Sequence, residues 1–123
     1  MNFIILGTLL SLLLSGAPVT ARAELYWFDP ALGGINCNGE CETMAAGHQV
    51  SEWYGRALAC PKQVPIGAVF VIRGSRWGLA DGEWRCLDRG GAVVMRDDGV
   101  MVLDLLVREP IWRDELEVEI RLP

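Results

Sequence analysis

Two aspartates sixteen residues apart, Asp88 and Asp104, stand in hydrophobic, β-type surroundings. The first ends Trp84-Arg85-Cys86-Leu87-Asp88 and is followed by Arg89-Gly90-Gly91; the second is the centre of Val102-Leu103-Asp104-Leu105-Leu106. A carboxylate in such surroundings is costly unless it is paired or used. Used, a pair of carboxyl groups can do general acid and base work, one giving a proton and the other taking one or stabilising positive charge. The Gly90-Gly91 pair lets a backbone turn sharply or a ligand approach closely. The structural alternative is a tight turn between core strands, with each aspartate accepting backbone hydrogen bonds.

The elements that must hold these groups are short strands. Glu24–Phe28 is an aromatic run with β propensity, stopped by Asp29-Pro30. Ala68–Ile72 is an apolar run of strand length. Trp84–Leu87 and Ala92–Met95 are expected as strands flanking the Asp-Arg-Gly-Gly turn, and Asp97-Asp98-Gly99 signals a hairpin leading into Val100–Val107. In Glu115–Leu122 the residues Leu116, Val118, Ile120 and Leu122 alternate with charged ones. Ala31–Glu42 and Gly74–Glu83 read as loops, the latter with Trp77 exposed near its tip, and Thr43–Gly47 as one helical turn. Ser51–Leu58 has no clear type. Many short strands without a long helix give an all-β domain, a small barrel or sandwich.

Phe3–Leu14 is almost wholly apolar and ends before Ala21-Arg22-Ala23, an A-x-A pattern, so residues 1–23 read as a signal peptide cleaved after Ala23 and 24–123 as one domain. The absence of Lys or Arg in Met1-Asn2 leaves an uncleaved anchor open. The expected location is secreted or periplasmic, with no membrane association after cleavage. The remaining chain has ten Lys or Arg against sixteen Asp or Glu, a net charge of −6. That balance disfavours nucleic acid and anionic membranes as partners and suits a neutral polymer such as a glycan.

Cys37, Cys41, Cys60 and Cys86 form an even set, expected as two disulfides in an exported small domain. Cys60–Cys86 with Cys37–Cys41 is the preferred pairing, the other two combinations staying open. No metal site and no cofactor are expected: Cys37-x-x-x-Cys41 lacks a second close pair, and His48 is the only histidine.

Read together, Cys60-Pro61-Lys62-Gln63-Val64-Pro65-Ile66-Gly67, the apolar strand, Cys86-Leu87-Asp88-Arg89-Gly90-Gly91-Ala92-Val93 and Leu103-Asp104-Leu105 resemble the double-psi β-barrel superfamily. Two of its branches contribute: the three-aspartate domain of lytic transglycosylases and the rare lipoprotein A-like domain. Met44-Ala45-Ala46-Gly47 sits where such barrels carry a T-A-x-G segment, and the resemblance runs from about Leu25 to Leu122. It implies a six-stranded double-psi β-barrel with short helical turns, stapled by disulfides and acting on peptidoglycan or another cell-wall glycan as a monomer. By the resemblance Asp104 is the acid/base and Asp88 its neighbouring carboxylate, the reverse assignment staying open. Arg89, Gly90, Gly91, Trp77 and His48 are candidate substrate contacts, each with a structural alternative, and Trp27, Trp53, Tyr54 and Trp84 are further stacking candidates or core. The chain departs from both patterns. The third aspartate falls on Cys60, the histidine of the rare lipoprotein A-like site on Pro61, and its glutamate on His48. The alternative is therefore a non-catalytic, expansin-like barrel that binds wall glycan or a protein.

Overall fold

The computed structural model describes residues 17–32 and 41–123. Six strands form a closed mixed β-barrel: β1 (Val19–Phe28), β2 (Ala57–Ala59), β3 (Val69–Ile72), β4 (Gly82–Asp88), β5 (Met101–Leu106) and β6 (Asp114–Arg121). Around the barrel the order is β1-β5-β2-β4-β3-β6. β1 and β5 pair in parallel, as do β2 and β4, while the other ladders are antiparallel. This arrangement is compatible with a double-psi barrel. Helical structure among the described residues is confined to single 3-10 turns. None of these is long and apolar enough to cross a membrane.

Alternation makes the interior. Leu25, Leu58, Phe70, Ile72, Met101, Leu103, Leu105, Val118 and Ile120 are all buried, and Trp84 joins them with its indole N–H bonded to the Ala80 carbonyl. Closure leaves no free sheet edge, which is how strands this short become stable. The Cys60–Cys86 disulfide ties the segment after β2 to β4 inside this core. Cys41 is also disulfide-bonded; Cys37 lies outside the described residues, and with it the expected Cys37–Cys41 pairing.

Outside the wall, Met44, Val50, Ala57, Leu87 and Leu106 form a second, smaller cluster with Phe28, Ala46, Trp53 and Tyr54. It anchors the segment 43–56 on the outer face of β2, β4 and β5. Asp29 is buried beside it and accepts hydrogen bonds from the Tyr54 hydroxyl and the Ala31 amide.

Three expectations change. Ala92–Met95 is not a strand: Val93 N–H turns back to Gly90 O, and Met95 alone makes an isolated bridge, to Met101. β2 covers that side of β5 only at Asp104 and Leu105, and the 94–96 segment touches the remainder just at the hairpin, through Val102 N–H to Val94 O and Arg96 N–H to Val100 O. The sixth strand is instead Ala57–Ala59, in the stretch without clear type. Thr43–Gly47 is not helical; a Thr43–Gln49 bridge closes a tight turn, with Gly47 at φ 89°. Finally, β1 begins at Val19. Val19–Ala23 pair with Ile120–Leu116 of β6, so the strand starts five residues ahead of the expected Glu24.

Candidate functional site

β2 runs between the two aspartates, and its Ala59 is in register with both, with Asp88 on β4 and with Asp104 on β5. Two ladder spacings put the aspartate α-carbons roughly 10 Å apart. A bulge on β4 creates this alignment. Leu58 pairs with Cys86 but Ala59 with Asp88, which leaves Leu87 as the extra residue. Without the bulge, Leu87 would be level with Ala59 and Asp88 would turn toward the interior, so the bulge re-aims the carboxylate outward. Only the methyl group of Ala59, itself buried, stands between the pair in register.

Asp88 is half-buried, and its Oδ1 accepts the Ala45 amide at 3.0 Å. The next amide, Ala46 N–H, donates to Leu87 O, so the 43–49 turn is stitched to the end of β4 over two residues. Asp104 differs. It is half-buried, and among the described residues no hydrogen bond or ion pair engages its carboxylate. Burial alone pushes its pKa above the ordinary carboxylate value. A carboxyl group that holds its proton longer than usual, with no partner to satisfy, has the properties of a general acid.

On the far side of Asp104 lies Tyr26, level with it on β1. The Tyr26 hydroxyl donates to Glu24 Oε1 at 2.7 Å, and Arg96 and Arg113 also bond to that carboxylate. The Tyr26 hydrogen bond, aided by the two guanidinium groups, holds the buried Glu24 below the usual carboxylate range. It also raises the Tyr26 phenol. Sequence reading had not singled out Glu24, Tyr26, Arg96 or Arg113. The Glu24-x-Tyr26 spacing on one strand face was the available signal for the first two.

The other expected site residues are dispersed. Arg89 faces the molecule, donating to the carbonyls of Cys60, Pro61 and Val64 at 3.1, 2.7 and 2.8 Å. Gly90 and Gly91 are exposed directly after Asp88, neither in the left-handed region; a Cβ on Gly91 would meet open space. Neither turn strain nor crowding by the protein explains a glycine at 91. His48 is exposed on the 43–49 turn and meets Trp53 edge to face at 5.2 Å. Trp53 and Tyr54 are each covered by a guanidinium, of Arg56 and Arg108, at 4.3 Å. Trp77 is exposed on the β3–β4 hairpin, at the opposite end of β4 from Asp88.

Among the described residues no three His, Cys, Asp or Glu side chains converge on a metal-sized site. The chain matches no family model and no curated protein.

Proposed function

We propose that this barrel acts on the glycan strands of peptidoglycan as an exported, lytic transglycosylase-like protein, with Asp104 as acid/base and Asp88 as the second carboxylate. The double-psi resemblance to the three-aspartate and rare lipoprotein A-like domains supplies the substrate class. The observation that carries the reading is the unpaired, half-buried Asp104 in line with Asp88 across Ala59.

In such a reaction protonated Asp104 gives its proton to the glycosidic oxygen as the bond to the anomeric carbon breaks. The resulting carboxylate then takes the proton of the sugar's own 6-hydroxyl as that oxygen closes on the anomeric carbon. One carboxyl group serves both steps, and no water enters. A span of roughly 6.5–9.5 Å between carboxyl groups is what inversion with water requires. The approximate 10 Å between α-carbons is compatible with that variant as well.

A second reading, glycan binding without turnover, is favoured by Cys60. The position where the three-aspartate pattern has its third carboxylate is a buried half-cystine. Purified peptidoglycan incubated with wild type, Asp104→Asn and Asp88→Asn separates the two. Anhydro-ended fragments lost in Asp104→Asn establish the transglycosylase, and new reducing ends lost in the same variant establish a hydrolase. Sedimentation with the polymer without turnover establishes a binder. No turnover and no sedimentation overturn the glycan reading.

A further inference from the structure

The outer-face row does not stop at Tyr26. Arg113 lies over the Tyr26 ring at 5.3 Å, and its chain neighbour Trp112 meets Trp77 edge to face, with ring centroids 5.6 Å apart. Arg76 covers Trp112 at 5.3 Å and donates its backbone amide to the Asp114 carboxylate at 2.8 Å, tying the hairpin to the start of β6. From β5 through β1 and β6 to the β3–β4 hairpin is three ladder spacings, roughly 15 Å. Trp77 is remote from Asp88 along β4 yet close to Asp104 around the wall, because the barrel is sheared.

Trp77 and Trp112 are 73% and 53% exposed. Trp77 is also the only non-glycine residue with positive φ among the described residues, at φ 55° and ψ 18°. Such a conformation is costly for a residue with a Cβ and persists only where the surroundings over-determine it. Here they do. The Ser75 amide and hydroxyl both donate to Asp81, Ala80 N–H donates to Ser75 Oγ, and Gly78 N–H to Ser75 O. The hairpin thus holds a bulky apolar ring in solvent, in a strained conformation, against its partner ring.

Arg113, the chain neighbour of Trp112, helps line a cleft of about 330 Å³ together with Glu24, Arg96, Asp114 and Glu115. Three carboxylates and two guanidinium groups nearly cancel, so the cleft selects neither a strong anion nor a cation. It offers carboxylate acceptors and planar guanidinium donors, and the exposed aromatic face is supplied by the Trp pair one residue along the chain from Arg113. A neutral ligand with one apolar face and many hydroxyls, a pyranose, matches that combination.

We propose that the Trp77–Trp112 pair and this cleft form a distal subsite, which holds one sugar of the same glycan strand whose cleaved bond lies at Asp104. The proposal rests on the glycan reading and adds a second point of attachment to it. The test is titration of ¹⁵N-labelled protein with soluble, peptide-free peptidoglycan strands, followed by NMR of the indole and backbone signals. The indoles of Trp77 and Trp112 should shift together with amides flanking Asp104. Trp77→Gly, which suits the left-handed backbone and should fold at least as stably, and Trp112→Ala should each weaken binding about five- to tenfold. Shifts confined to the Asp88 and Asp104 segments, with unchanged affinity in both variants, overturn the subsite and leave the glycan reading standing. No shift anywhere with these strands overturns both.

Discussion

Tyr26 is level with Asp104 across the β1–β5 ladder, yet its hydroxyl is given to Glu24. Asp104 is thereby denied the donor nearest to it in register. Its raised pKa follows from burial, and no phenol hydrogen bond is there to favour the ionised form and offset it. Glu24, holding two arginines as well, is the stronger competitor.

Asp104→Asn should abolish glycan cleavage without harming the fold. Because folding raises the Asp104 pKa, its favourable contribution is present at acid pH and lost as pH rises through the folded value. At pH 7 the variant should therefore equal or exceed wild-type stability. That advantage should shrink as pH falls through the raised folded value and be gone below the ordinary carboxylate range. Thermal melts of both proteins from pH 3 to pH 8 check it; a variant much less stable at pH 7 would assign Asp104 a structural role.

Asp88→Ala and Asp88→Asn should part company. Asparagine retains an oxygen acceptor for the Ala45 amide, whereas alanine leaves it without one, at a cost of about 1 kcal/mol. Hydrogen exchange at Ala45 and Ala46 should quicken in the alanine variant and stay near wild type in the asparagine variant. Both should lose activity if the carboxylate itself is needed.

Replacing Cys60 and Cys86 with alanine opens a cross-link between residues 26 apart in sequence, worth about 3–4 kcal/mol in chain entropy. The loss should exceed that figure, because Arg89 also bonds to carbonyls around this bridge. Denaturant unfolding of oxidised and doubly substituted protein measures the difference, and equal midpoints would refute it.

A chain beginning at Glu24 should be much less stable than one beginning at Pro18. It lacks five of the seven β1–β6 register pairs, buried Val19 and Ala23 among them. At about 1 kcal/mol for each hydrogen bond lost, the deficit is at least about 3 kcal/mol, with a sheet edge of β6 newly exposed. Melting temperatures of the two forms provide the comparison, and equal values would refute it.

Much of the barrel was legible because side-chain alternation was. β6 follows the pattern of Leu116, Val118 and Ile120, and the Asp97-Asp98-Gly99 turn reverses the chain between Met95 and Met101. β2 was not legible: Ala57-Leu58-Ala59 is buried on both faces and so has no alternation to read. The first half of β1 was hidden by its likeness to a cleavage site, since small residues suit a protease and a barrel interior equally. The aspartate pair was visible, but their alignment depends on a bulge whose trace is the consecutive apolar pair Cys86-Leu87. The Trp77 hairpin was correctly seen as exposed. Its link to Asp104 could not be seen, because shear is a property of the closed wall and of no single segment.

The longest strand has two partners of different age. β1 lies antiparallel to β6 along its first half and parallel to β5 along its second, so the earliest described strand waits for the last two. On the ribosome or in transit through a membrane, such a chain has no complete wall to form until residue 120 has emerged. Its folding is necessarily late and dominated by non-local contacts, which makes it slow. Until then its apolar strands lie exposed and unpaired, the condition in which a slow-folding barrel is most prone to aggregate.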